Sequence, residues 1–247
     1  MTTTDRVLAQ DELRALSLRS NWPGIIRLSI HVALLALAGW WVAMAEGWVL
    51  LPAMLALALV QAALFAPSHE TMHQTVFTSA KANAIVGWIT FLPALQSSHF
   101  YAAFHYIHHR HTNVPGQDPE LMLPEPQTLG QYALRILGAG YFGARLTMII
   151  DAWRGDMAGP KYFFINDRQR PGVIRNGLTN TRTTLTNRLV RLLMWDMPFH
   201  AEHHLYPSIP FHRLADAHAL LREKLRFVQP GYARWNAGFV RELKGKR

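Results

Sequence analysis

The 247-residue chain contains no cysteine. That excludes disulfides, thiolate ligands and any iron–sulfur cluster held by its own side chains, so a bound metal must rest on nitrogen and oxygen. Charge is nearly missing from one long stretch. Between Leu28 and Ala80 the only Asp, Glu, Lys or Arg residues are Glu46 and Glu70. Acid is scarce further on: residues 157–195 hold Lys161, Arg168, Arg170, Arg175, Arg182, Arg188 and Arg191 against the single acid Asp167. Strand-like alternation of weight is lacking too, which leaves helices as the expected elements. The chain carries no flavin, NAD or haem motif, and no nucleic-acid-binding motif accompanies its formal charge of +9.

The charge-poor stretch consists of two apolar runs, Leu28–Ala45 and Trp48–Pro67, joined at Glu46-Gly47. Each is near the roughly 20 residues that cross a bilayer as a helix. A soluble domain of this size seldom needs two such runs back to back, so a transmembrane hairpin over about residues 28–67 is expected. Arg14, Arg19 and Arg27 precede the first run, and nine more Lys and Arg residues follow from Arg213 onward. Basic flanks mark the cytoplasmic side of spans and attract anionic headgroups. The positive charge is therefore assigned to a membrane surface and not to nucleic acid.

The remainder divides into an N-terminal segment (1–24), a membrane domain (25–225) and a basic C-terminal tail (226–247). The first segment is polar, and its neighbouring apolar run begins too late for a cleaved leader. Val7, Leu8, Leu13, Leu16 and Leu18 predict an amphipathic helix on the membrane surface, with Thr4 as its N-cap. The apolar stretch Ala82–Leu95 is too short to cross, and Pro93 limits it, so it reads as re-entrant or interfacial. Residues 130–152 are interrupted by Arg135 and Arg145 and predict a tilted or interfacial helix. Residues 154–183 read as a basic loop. In Leu185–Trp195, Leu185, Leu189, Leu192 and Leu193 face away from Arg188 and Arg191, and a last amphipathic helix is expected near Leu214–Leu225. The fold class is all-α: an integral membrane helical hairpin with a cytoplasmic histidine-rich helical cap.

Histidine supplies the chemistry. Eight of thirteen fall in three short windows: His69-Glu-Thr-Met-His73, His105-Tyr-Ile-His108-His109 and His200-Ala-Glu-His203-His204. On a helix, positions i, i+3 and i+4 adjoin on one face, so each window aims its imidazoles at one point. Neutral imidazole is the commonest side-chain metal ligand. Eight are too many for one four-coordinate zinc and suit two five- or six-coordinate ions. By ligand type iron, manganese, copper and zinc all remain; positions left open for O2 point to iron. A lone histidine in an apolar run is usually structural, which is the reading for His31. His212 and His218 belong to the C-terminal amphipathic stretch. His99 and His111 flank the second window, Glu70 and Glu202 lie inside windows, and these are candidates for orienting imidazoles from behind. For both carboxylates a solvated surface role is the alternative.

The order of windows resembles the membrane-bound fatty acid desaturase superfamily, with its H-x-x-x-H, H-x-x-H-H and H-x-x-H-H boxes. The likeness covers roughly residues 25–225 and extends to Phe104–Asn113 with Asp118-Pro-Glu, and to Met197–His212. Asn180-Thr-Arg-Thr-Thr-Leu-Thr-Asn resembles bacterial members. The resemblance implies that His69, His73, His105, His108, His109, His200, His203 and His204 coordinate two Fe ions. It also implies O2 as co-substrate, a lipid acyl substrate that loses two hydrogens, and an external ferredoxin- or cytochrome-type electron donor. The chain departs from the family pattern twice. The region between the second and third boxes is short and basic where members carry a second hairpin. No histidine occurs between His111 and His200, where many members have a further ligand, so Asn180 is the candidate to hold a metal-bound water. The site works with eight histidines, or the chain is a catalytically impaired metal-binding relative. A carotenoid ketolase or hydroxylase built on the same boxes is the rival enzyme.

Overall fold

The structure is a computed structural model and describes residues 7–122, 124–158, 160–166 and 177–245. The expected N-cap Thr4, and Asp167, Arg168, Arg170 and Arg175 of the basic stretch, lie outside the described residues. In chain order the α-helices are α1 (Gln10–Leu16), α2 (Asn21–Met44), α3 (Leu50–Ala63), α4 (Phe65–Met72), α5 (Ala80–Phe91) and α6 (Ser98–His111). After these come α7 (Leu129–Ile136), α8 (Ala139–Arg154), α9 (Arg188–Leu193), α10 (His200–Leu205), α11 (Leu214–Leu221) and α12 (Tyr232–Gly245). The chain folds as two compact units, Met1–Ser98 with Gly177–Val228, and His99–Asn176 with Gln229–Arg247.

The first unit contains the hairpin. Asn21–Met44 and Gly47–Met72, of 24 and 26 residues, are long and apolar enough to cross a membrane. At 1.5 Å per residue they run to about 36 and 39 Å, more than the roughly 30 Å of hydrocarbon. Trp22 lies exposed at one end, and Trp40, Trp41 and Trp48 cluster exposed around the turn, as interfacial aromatics do. Gly47 takes φ +54 there, a left-handed conformation that glycine adopts without strain. The first helix begins earlier than the apolar run and so includes Arg27. That charge is tolerated because it is fully engaged: it donates to Asp196 Oδ2 at 2.8 Å, to the Leu192 carbonyl at 2.7 Å and to the Arg191 carbonyl at 3.2 Å. Buried His31 places Nε2 2.9 Å from the Val60 carbonyl and so ties the two spans, the structural role expected of it.

The second span ends in α4, and α5 lies along it. Ser79 caps α5 by accepting from the Ala82 N–H, and Asn83 bonds the Phe77 backbone in both directions. At 12 residues α5 is only about 18 Å long, too short to cross, in line with the re-entrant or interfacial expectation. Leu8, Leu16, Val76, Phe77, Trp195, Phe199, Ile209, Phe211, Leu214 and Leu221 share one buried core. Leu16 of α1 and Leu8 just before the helix are thus buried in protein, and Leu18 just after it is exposed. Around α9 the expected faces hold in part: Arg188 is exposed and Leu192 and Leu193 are half-buried, but Leu185 and Leu189 are exposed, and Arg191 bonds Asp196 at 2.6 Å and stacks over Phe199. The buried carboxylate of Asp196 draws the arginine inward, where a sequence pattern without that partner points it to water. Among the described residues strand structure is two short pieces; Thr183 N–H donates to Phe227 O, and Thr184 N–H to Pro198 O.

In the second unit, α6 packs Phe100, Ala103, Phe104 and Ile107 against Tyr162 and Phe164. Asp151 accepts hydrogen bonds from Lys161 and from Tyr162 Oη, fastening α8 to the segment after it. Helices α7 and α8 meet at a 60° bend, with Gly138 at φ +73. Within the basic C-terminal tail, residues 232–245 form α12. Trp235, Phe239 and Leu243 recur at i, i+4 and i+8 on its inner face, Phe239 lies 5.2 Å from Tyr132 of α7, and Tyr132 Oη bonds Asn236. Exposed Arg234, Arg241 and Lys244 lie on the other face and supply the net charge that concealed the period.

Candidate metal centre

Two of the three boxes belong to the first unit. His69 and His73 lie one turn apart at the end of α4, with ring centroids 4.8 Å apart, and His203 of α10 stands 4.6 and 4.5 Å from them. One nitrogen from each falls within 4.8 Å of the others. His203 Nε2 approaches His73 Nε2 to 3.1 Å, and His204 Nε2 approaches His200 Nε2 to the same distance. The second unit supplies the remaining box: on α6, His109 Nε2 lies 2.7 Å from His105 Nε2. All eight side chains are buried or half-buried.

These distances fit metal ligation. A metal–imidazole bond is about 2.1 Å, so two nitrogens at a right angle on one ion stand about 3.0 Å apart. The three nitrogen pairs, at 2.7 to 3.1 Å, match that edge. A proton shared across such a pair serves only one bond, whereas a cation takes both lone pairs.

Protonation favours ligation in the first unit. Burial, reinforced by the neighbouring imidazoles, holds His73 and His203 well below the ordinary histidine value, so both are neutral at physiological pH. Glu70, next to His69 in sequence, is fully buried, with Oε1 3.2 Å from His69 Nδ1 and Oε2 accepting from Thr75 Oγ1 at 2.9 Å. A carboxylate on Nδ1–H leaves Nε2 as the lone pair.

The second unit repeats the device with a residue that sequence reasoning did not assign. His108 Nδ1 lies 2.9 Å from Asp118 Oδ1, and Asp118 also accepts the backbone N–H groups of Asn113 and Glu120. Burial opposes charge on His108, but the Asp118 hydrogen bond and the charges of Glu120 and Asp118 raise its pKa. Burial likewise disfavours the Asp118 carboxylate, yet His108 and the two N–H donors lower its pKa. Tyr101 Oη sits 3.2 Å from His105 Nδ1. Half-exposed Glu120 brings carboxylate oxygens within 3.6 Å of His105 Nδ1 and 3.5 Å of His108 Nε2, and with them forms a group able to hold a cation. The signal for both acids was present in Asp118-Pro119-Glu120, nine to eleven residues past His109.

The other candidates separate. Glu202 is fully buried, which rules out the solvated role, but its carboxylate pairs with Thr183 Oγ1 and His218 Nδ1. It fixes α10 to the 183–184 strand and to α11, and His218, read as part of an amphipathic helix, is its partner. His99 is exposed and His111 half-buried, and neither side chain makes a hydrogen bond to a described residue. Asn180 is half-buried, three residues before Thr183.

No curated protein matches this sequence. The family model described as fatty acid desaturase matches residues 46–178 and 170–236, and so includes the second span and all three boxes. A match to that family suggests an oxidoreductase. With the match extending over most of the sequence, the chain belongs to the fatty acid desaturase family.

Proposed function

We propose that the chain is an O2-dependent desaturase. His69, His73, His105, His108, His109, His200, His203 and His204 hold a pair of irons, and the substrate is a lipid acyl chain that loses two hydrogens. The observation that carries this reading is the set of three imidazole pairs with nitrogens 2.7 to 3.1 Å apart, the spacing of adjacent ligands on one ion. Bound ferrous iron supplies the electrons that make O2 strong enough to take hydrogen from an unactivated C–H bond.

The chain's own residues orient and protect. Glu70 and Asp118 engage Nδ1 of His69 and His108 and fix those rings from behind. The low proton affinity of His73 and His203 keeps them available as neutral ligands. Asn180, where the sequence has no ninth histidine, holds a water toward the irons. The spans bring the site to the bilayer that contains its substrate, and the basic flanks of the hairpin support a cytoplasmic face for the histidines. A separate ferredoxin- or cytochrome-type protein supplies electrons.

The test is iron quantification on purified protein, followed by mass spectrometry of the lipids of an expressing host. About two irons per chain, with O2-dependent loss of two hydrogens, is the expected result. Gain of oxygen makes the chain a hydroxylase or ketolase. Zinc, or sub-stoichiometric metal without turnover, makes it a metal-binding relative and overturns the reading.

A further inference from the structure

The bent pair α7–α8 carries an apolar stripe that nothing in its own unit covers. Leu134, Leu137, Phe142, Leu146, Ile149 and Trp153 are all exposed, Leu137 at 74% and Trp153 at 89%. Within α8 the spacing of 142, 146, 149 and 153 is i, i+4, i+7, i+11, one face of a helix. Away from the stripe, Met148 packs on the Tyr162 cluster and buried Asp151 bonds Lys161 and Tyr162, while half-buried Arg145, on the flank of the stripe, stacks over Tyr141 and points Nη1 at Met148 Sδ within the same helix. Exposed Arg135 and Arg154 stand near the two ends of the stripe.

By length and composition this pair is either one broken span or a re-entrant element. The geometry favours the second. From Phe142 to Trp153 the stripe extends about 16 Å, little more than half the roughly 30 Å of a hydrocarbon core. Helix α7 adds about 12 Å at a 60° angle, which turns it toward the plane of α8's flank instead of extending its line. An amphipathic helix with a bulky apolar face and arginines at its margins suits the headgroup boundary of an anionic leaflet.

We propose that α7–α8 is a membrane-dipping elbow that enters one leaflet and returns to the side from which it came, its stripe covered by lipid and Arg135 and Arg154 bound to anionic headgroups. The occupant is lipid and not a second copy of the chain, because the stripe is flanked by like-charged arginines that complement anionic phosphate but would repel their own counterparts across a two-fold axis. The inference rests on the proposed function only in one respect: boxes two and three must lie on the same side of the bilayer if their histidines serve one centre, and an elbow preserves that side where a single crossing reverses it.

The absence of native cysteine makes the test clean. Single variants Arg19→Cys, Glu46→Cys, Gln127→Cys and Asp156→Cys, all at exposed positions, are labelled in sealed oriented vesicles with a membrane-impermeant maleimide. Arg19 and Glu46 flank the first span and report opposite sides. Gln127 and Asp156 flank the elbow and are expected to label from one and the same side; labelling from opposite sides overturns the proposal. In the same vesicles, which contain phosphatidylglycerol, Leu146→Cys is expected to react about tenfold more slowly than Asp156→Cys, because a thiol in lipid does not form thiolate. Equal reaction rates, or an oxidative cross-link between two copies at Leu146→Cys, also overturn it. Iron content of the same preparations is read separately, so a metal-free protein with Gln127 and Asp156 on one side sinks the proposed function and leaves the elbow standing.

Discussion

Replacing Gly87 with alanine sets two effects against each other, and the structure decides the winner. Alanine is favoured over glycine inside a helix by about 0.5–1 kcal/mol. Gly87, however, is the point where α5 meets α4. A Cβ built there stands 2.7 Å from Thr71 Oγ1 and 3.4 Å from Thr71 Cβ, so one of the two must move. Thr71 is buried and resists, because its hydroxyl is held by the Pro67 and Ser68 carbonyls, each at 2.8 Å. Overpacking of this kind costs about 1–3 kcal/mol, which exceeds the helix gain. The expected net is a loss of about 1–2 kcal/mol, with a Tm lower by about 2–4 °C for each kcal/mol, read by thermal unfolding in detergent. Thr71 sits between His69 and His73, so the metal content after dialysis is expected to fall in the same variant. The double variant Gly87→Ala with Thr71→Ala removes the obstructing hydroxyl and recovers part of the loss relative to Thr71→Ala alone. Gly238→Ala on α12, where nothing lies within 4 Å, is the control and shows only the small helix gain. A Gly87→Ala protein that melts at or above the parent would show that α4 and α5 do not pack as described.

Arg27→Ala is expected to cost about 2–4 kcal/mol, since it removes a charge-assisted bond to Asp196 and two carbonyl bonds while Arg191 still pairs the carboxylate; Arg27→Lys should recover only part, and full recovery would refute the forked geometry. Asp118→Asn is expected to weaken metal affinity by about 10–100-fold with unchanged helix content, because His108 loses the carboxylate that orients it; unchanged affinity in a metal titration would refute that role. Acid should destabilise the metal-free protein. His73 and His203, and His212 through its burial and then Arg213, all have lowered pKa values, so the unfolded chain binds more protons. The stability they contribute is present above the unfolded value near 6.5 and is lost as pH falls below it toward the lower folded values. A melting temperature flat from pH 7 to 5 would contradict this.

The hairpin and the boxes are local features, and local features are legible. Charge is absent over a length set by bilayer thickness, and the i, i+3, i+4 histidine spacing carries its own geometry. The inward turn of Arg191 in α9 was not legible, because its partners Asp196 and Phe199 lie beyond the helix, at and after the left-handed backbone of Trp195 and Asp196. Nor was α12, whose aromatic period is overlaid by basic residues that count the same whether a segment is helix or tail.

The carboxylates behind the imidazoles divide along the same line. Glu70 lies next to His69 in sequence and could be named as an orienting group from position alone. Asp118 reaches His108 only because the chain turns at Asn113, where φ is +61, and Gly116, where φ is +76, and the turn delivers two backbone N–H donors to the carboxylate before it meets the ring. Glu202 shows that adjacency is not enough: it stands next to His203, yet its carboxylate is taken by Thr183 and His218. A helix points neighbouring side chains about 100° apart, so a residue beside a ligand faces away from the metal as readily as toward it. Which carboxylate serves a histidine is therefore decided by what waits on the other side of the helix, and for α10 that is the 183–184 strand and α11.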